Sequence, residues 1–351
     1  MELQYKYAPN PVPEIPELFR CRVPLQGTLQ AYLMNGILRE ELDIDRGNLV
    51  IKAGDESGYN FCIAPGVIIP DTLQIISIRD SNGNSDINYS NSYHFKENSS
   101  SSLLLCAHTL TMDEFKTGSE LIINLEKGAN ANIVLMQNEH NLSSHTVSFK
   151  ITQAEGSALK INIVSLHGGL QENIIDVRLE GSDSVCELNG IYLVDGKQVI
   201  NTKINMNHLV PGCRSSQLFK GILDNEAKAL FSGKINVAKD AQKTEAYQAN
   251  HNLLLSRSAK VYAQPQLEIY ADDVKCSHGA TSGRLDEMAL FYMRSRGIGA
   301  AEAKLLQQIA FVYDVLEKID NQHLRERLSE LVESRLRGEF AHCANCSMNC
   351  C

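Results

Sequence analysis

The sequence predicts a mainly β chain whose short strands wind into a coil, a β-helix, followed by a small C-terminal α-helical domain. Three observations predict it. From Leu103 to Gly283 strand-like runs follow one another with almost no helical interlude. Late in that stretch lysine recurs in Ala227-Lys228, Gln242-Lys243, Ala259-Lys260 and Val274-Lys275, at steps of 15, 17 and 15. Such a near-constant stride without an exact repeat is what a climbing coil produces. After Gly283 the apolar period changes from two to near 3.6. A two-sheet sandwich also gives many short strands with turns between them, but a run of about 180 residues is long for one sandwich.

Taken in order, the chain opens with Pro9, Pro11, Pro13, Pro16 and Pro24. Proline fixes φ and removes a donor, so residues 1–24 read as an extended arm. Leu29 to Leu42 (LQAYLMNGILREEL) is expected as a short helix weakened by Gly36, completing a first region of residues 1–47. From Asn48 the texture changes to LVIKA, YNFCIA, GVIIP and LQIISI, each bounded by Gly, Pro, Asp or Asn, which read as strands. Residues 81–102 are rich in Ser and Asn and read as a surface loop within a β-helix core of residues 48–283. Beyond them come runs such as LLLCAHTL, ELIINLE, ANIVLMQ, TVSFKI, LKINIVSL, IIDVRLE and CELNGIYLV. Turns are expected at Lys127-Gly128, Glu155-Gly156, Glu180-Gly181, Pro211-Gly212 and Asp224-Asn225.

Residues 284–338 read as helical. Asp286 is the expected N-cap, with Leu285 and Leu290 in the layout of a hydrophobic staple, and Gly297 ends that helix. The next helix carries Leu305, Ile309, Val312, Leu316 and Ile319 as one apolar stripe. A third carries Leu324, Leu328, Leu331 and Leu336 up to Gly338. Three helices on the end of a strand coil are expected to form a cap or a docking domain. Residues 339–351 are a Cys-rich tail.

Composition excludes several functions. A net charge of −9 argues against nucleic acid, because phosphate binding needs clustered Lys and Arg. No apolar run approaches the ~20 residues needed to cross a bilayer, and the first 24 residues hold no signal-like apolar stretch. Ten cysteines in that setting read as reduced thiols. The expectation is a soluble, cytoplasmic protein that binds neither nucleic acid nor membrane. Gly233-Lys234 is followed by Ile235, and Lys228 stands where a P-loop needs its first glycine, so nucleotide hydrolysis is excluded.

The stretch from Pro265 to Gly297, PQLEIYADDVKCSHGATSGRLDEMALFYMRSRG, holds a strand end, a thiol and an imidazole two residues apart, and a β-to-α transition. This run resembles the signature of the SufB/SufD family, core components of the machinery that assembles iron–sulfur clusters. The resemblance is close over about residues 215–297. It implies a right-handed parallel β-helix. It further implies a SufB-type partner, a Suf ATPase received by the C-terminal helices, and an iron–sulfur cluster held transiently and shared with the partner. A flavin at the level of the complex stays open, as does a homodimer in isolation. The ATPase docking region expected from the helical stripe and its flanking arginines comprises Arg294, Arg296, Leu305, Ile309 and Val312.

On spacing alone, Cys276 and His278 are a small thiol and a satisfied histidine ending a core strand. The resemblance reverses that, because it implies that His278, and less securely Cys276, lie at the interface where the cluster forms. Gln248 to Ser256 resembles the SufB segment that carries a cysteine where Asn250 stands, and Gly279 stands where SufB-type chains carry a glutamate. The chain therefore resembles SufD more than SufB and is expected to complete a site, not to act as an enzyme. Asp272-Asp273 suits a turn better than an acid pair, since neighbours on a strand point to opposite faces. Cys106 with His108, and His140 with His145, are read as structural. Cys343, Cys346, Cys350 and Cys351 are candidate metal ligands by their C-x-x-C spacing, the alternative being opportunistic binding by a terminal segment. Two rival functions are a self-sufficient homodimeric scaffold and a β-helix carbohydrate-active enzyme. The second would need stacking aromatics, and the chain has no Trp.

Overall fold

The computed structural model describes residues 3–7, 28–44, 46–81 and 83–338. Most of the Pro-rich arm and the whole Cys-rich tail lie outside the described residues. The N-terminal part holds β1 (Leu3–Tyr7), β2 (Thr28–Met34), β3 (Ile37–Leu38), β4 (Glu40–Ile44), β5 (Leu49–Ala53) and β6 (Gly58–Ile63). The helix expected over Leu29–Leu42 is therefore corrected to strands. Asn35 and Gly36 have φ of 49° and 82°. Two consecutive positive φ values make the tight hairpin turn that Asn-Gly favours, and it sets Leu33 opposite Leu38 and Met34 opposite Ile37. Gly36 marks a turn, not a weak point in a helix.

The chain then runs through β7 (Ile68–Arg79), β8 (Asp86–Phe95), β9 (Ser100–Thr109), β10 (Phe115–Leu125), β11 (Asn130–Asn138), β12 (Ser143–Gln153) and β13 (Ala158–His167). It continues with β14 (Leu170–Leu179), β15 (Val185–Val194), β16 (Val199–His208), β17 (Arg214–Leu223), β18 (Lys228–Val237), β19 (Thr244–Leu254), β20 (Lys260–Ile269) and β21 (Val274–Gly283). Each pairs in parallel with the strand two places away. Two rows result, β6 to β20 by even numbers and β7 to β21 by odd numbers, so one coil of this parallel β-solenoid takes two strands. Lys228 stands beside Lys260, 32 residues on, so each lysine step in the sequence is about half a coil. The run of residues 81–102 is not a loop but contains β8 and the start of β9. Its period was hidden by composition: Tyr89, Asn91, Tyr93 and Phe95 point inward between exposed or half-exposed Ser, Asn and His. The end of GVIIP, from Ile68, and LQIISI are one strand, β7, with an irregular register between Ile68 and Thr72 around Pro70, which has no N–H to give a ladder.

One corner repeats coil after coil. Asn98, Gly128, Gly156, Asp183, Gly212 and Lys243 all have positive φ. Each N–H donates to a carbonyl of the following coil: Asn98 to Lys127, Gly128 to Glu155, Gly156 to Ser182, Asp183 to Pro211, Gly212 to Gln242 and Lys243 to Asp273. The left-handed conformation turns each peptide along the solenoid axis, which suits Gly, Asn and Asp.

The two rows differ in what covers them. Even strands alternate, as in β10, where every second side chain is buried, because their outer face meets solvent. Odd strands β9, β11, β13 and β15 show continuous buried runs. Their inward side chains join the core between the rows. Their outward ones, including Leu104, Val134, Met136, Val164 and Leu193, lie under helices. This is why LLLC and IVLM read as unbroken apolar runs. The helices are α1 (Glu287–Ser295), α2 (Ala300–Leu316) and α3 (Gln322–Leu336). Asp286 caps α1 through Oδ1, which accepts from Met288 and Ala289 N–H, and Gly297 follows its C-cap at φ 88°.

Val312, Leu316 and Ile319 of the stripe and the leucines of α3 bury against the odd row, so of the two expectations, a cap or a docking domain, the cap is corrected: these helices lie along the flank and do not close the last coil. Polar contacts pin them. Arg335 grips the Asp195 carboxylate at 3.0 and 2.9 Å and donates from Nε to Leu166 O. Asp320 reaches Lys160 at 2.9 Å and Lys220 reaches Asp314 at 2.8 Å. Burial alone would raise the Asp195 carboxyl pKa, but the hydrogen bonds and charge of Arg335 outweigh it and hold the group below its usual range.

Candidate functional site

The ends of the solenoid are unlike. Beyond β6 the even row continues as antiparallel β5, β4 and β1. At the C-terminal end β20 pairs with β18 and β21 with β19, and among the described residues no strand continues either row. Both edges therefore present unpaired N–H and C=O groups, the template on which another chain's strand can pair. Tyr262, Tyr270 and Tyr247 are exposed there, while Val261, Leu267, Val274 and Cys276 are half-buried against the last of the core.

Strand alternation carries Val274, Cys276 and His278 onto one inward-pointing face, as their spacing predicts. Only the first two find core beneath them; His278 is exposed. Cys276 stands beside Ala246 and His278 beside Gln248 in the adjacent coil. Burial raises the Cys276 thiol pKa against the opposing pull of the Ala246 N–H, so at neutral pH it is a thiol and a poor nucleophile. Asp272 and Asp273 form the bend between β20 and β21, where the Asp273 carbonyl accepts from Lys243 N–H.

Asn250 is fully enclosed. Its Nδ2 donates to Tyr192 Oη at 3.1 Å and its Oδ1 accepts from Asn252 Nδ2 at 2.7 Å. It is part of an internal polar cluster, with no thiolate to offer. Two residues earlier on these strands, the register column that ends at His278 contains Gln217 and Gln248, whose side chains bond each other at 2.7 Å; nothing local in the sequence marks either, and only the register with His278 singles them out.

The other sequence candidates are structural or fall elsewhere. Cys106 and His108 are buried. His145 Nε2 lies 2.9 Å from Ser119 Oγ and its Nδ1 lies 3.3 Å from the Glu139 carboxylate. These three side chains are buried, beside a cavity of about 20 Å³, room for one water. Cys343, Cys346, Cys350 and Cys351 lie outside the described residues. Among the described residues no three His, Cys, Asp or Glu side chains converge as a metal site.

The helical region departs from the expected docking set. Leu305 and Val312 are buried and Ile309 is half-buried, and Val312 belongs to the cluster that holds α2 to the sheet. Arg294 is exposed, and Arg296 folds over the Tyr292 ring, 5.1 Å from its centroid. α1 carries apolar surface free of the solenoid: it buries none of its residues and exposes Met288 at 76 %, Phe291 at 68 % and Tyr292 at 58 %. No helix among the described residues is long and apolar enough to cross a membrane.

Residues 80–311 match the family described as SUF system FeS cluster assembly, SufBD core domain. The chain is 35 % identical to the iron–sulfur cluster assembly protein SufD of Escherichia coli, over 63 % of this chain and 52 % of that protein. It is 34 % identical to a SufBD family protein of Synechocystis, over 62 % and 48 %, and 33 % identical to the chloroplastic protein ABCI7 of Arabidopsis thaliana, over 63 % and 46 %. It thus spans about half the length of the curated relatives it matches.

Proposed function

The chain belongs to the SufB/SufD family of iron–sulfur cluster assembly proteins and is SufD-like, and from that premise we propose that it serves as the SufD-type subunit of a Suf complex. In this reading the open end of the solenoid pairs with a SufB-type subunit, and the C-terminal helices receive the Suf ATPase. The observation that carries it is the pair of unpaired edges on β20 and β21 with His278 exposed beside them. Strand pairing supplies main-chain hydrogen bonds, and the exposed tyrosines supply apolar area.

The iron–sulfur cluster is the cargo of this interface. Thiols and hydrosulfide lose protons as they bind iron, and imidazole is the side chain suited to moving protons near neutral pH; His278 takes that role. Asn250 and Gly279 offer neither thiolate nor carboxylate, so the partner supplies the sulfur ligand. The chain alone is then no enzyme. The ATPase meets the exposed face of α1, with Arg294 at its rim, while the stripe of α2 stays on the solenoid.

Co-expression with a SufB-type chain and a Suf ATPase tests the reading. A ternary complex should be recovered by size, and His278→Ala should fold and still assemble the complex yet lose at least 10-fold in cluster formation. Normal cluster assembly by His278→Ala, or assembly by a homodimer of this chain without a partner, would overturn it.

A further inference from the structure

Resting on that reading of His278, we infer that Gln248 is its positioning residue. Gln217, Gln248 and His278 occupy one register line through β17, β19 and β21, with neighbours about 4.8 Å apart along the solenoid axis. Gln248 is only 3 % exposed. Its Nε2 donates downward to Gln217 Oε1 at 2.7 Å, which leaves Oε1 as the free end of the amide. That oxygen is buried and has no hydrogen-bond partner.

A buried carbonyl without a donor is costly, and native interiors seldom leave one so. The next residue on the line is His278, whose imidazole is exposed at the open end and makes no hydrogen bond to the described residues. Gly233, on the facing row, makes room for the arrangement: a Cβ there would stand 2.2 Å from Gln248 Nε2. The glutamine amide is thus fixed from below by Gln217 and from the side by the space Gly233 leaves.

When the imidazole turns inward over this amide, one ring N–H donates to Gln248 Oε1. The second nitrogen then points outward through the open end with its lone pair free. Such a bond fixes both the tautomer and the ring plane, as an acceptor behind a working histidine does. Gln248 acts through His278 and touches no cluster atom itself.

The test uses the full chain labelled with ¹⁵N-histidine, His278 being assigned by comparison with His278→Ala. Wild type should show one tautomer for His278, and Gln248→Leu a mixture of two. In the complex with the SufB-type subunit and the ATPase, Gln248→Leu should lower cluster formation by about 10- to 100-fold. Gln248→Glu keeps the acceptor and adds charge, so it should stay active while the acidic limb of the pH profile moves upward. It also serves if Gln248→Leu does not fold. A His278 tautomer unchanged in Gln248→Leu, or a pH profile unmoved in Gln248→Glu, overturns the inference. If His278→Ala loses cluster formation while Gln248→Leu is normal, only this inference fails; if His278→Ala forms clusters normally, the reading of the interface fails.

Discussion

His208 lies wholly inside the solenoid, its Nε2 2.9 Å from Ser215 Oγ and its Nδ1 without a partner. Burial disfavours the imidazolium and lowers its pKa from 6.5 to about 4. The unfolded imidazole therefore takes up its proton at higher pH than the folded one. Its contribution to stability is complete above about pH 6.5 and is lost as pH falls toward 4, amounting to about 2 kcal/mol at pH 5. Urea unfolding at pH 7 and pH 5 should show that loss in wild type and a smaller one in His208→Gln. An equal loss in both would mean that other groups carry the acid sensitivity. Neither His208 nor Gln248 stood out in the sequence, because a lone polar residue in a strand carries no mark of whether it is enclosed. His278 stood out only through its neighbours in the motif.

At the scale of elements, α1 and α2 follow one another in sequence and face different ways. No α1 residue is buried, whereas Leu316 on α2 is 2 % exposed within the cluster beneath the helices. If α1 is the ATPase surface, Phe291→Ser should leave the melting temperature within about a degree and reduce ATPase capture at least 10-fold. Leu316→Ala should cost about 2–5 kcal/mol and leave ATPase affinity of the folded protein intact. The reverse pattern would return the dock to the stripe on α2. The periodicity of that stripe was fully legible, and it identified the buried face of a helix. It could not say whether the covering surface belonged to this chain or another, since an apolar stripe has the same pattern in both cases.

For the whole molecule, the helices extend the core and are not an appendage. Asn321 bonds Thr72 on β7, Asp320 bonds Lys160 on β13, and Arg335 grips Asp195 after β15. Removing residues 284–351 should leave a β-rich circular dichroism spectrum. It should also uncover Leu104, Val134, Val164 and Leu193 and cause dye binding and aggregation, because a contiguous apolar face of that extent does not stay in water. A truncated chain that remains monomeric and dye-free would mean the helices only dock there. The sequence by itself determined the coil, its stride, the helix boundaries at Asp286 and Gly297, and the face that carries His278, because strand period, turn residues and caps are local chemistry. It does not by itself separate β2 to β4 from a helix or β8 from a loop, because a hairpin turn in an apolar run and a polar strand carry the same local composition as those alternatives. Tertiary structure alone decided which strands are buried on both faces, that α2 and α3 lie along the flank, that among the described residues no strand continues the C-terminal end of the solenoid, and that Gln248 lies beneath His278. Those relations join residues about 30 apart through the length of a coil, and the register that brings them together is set by the accumulated lengths of strands and turns, which no short stretch of sequence contains.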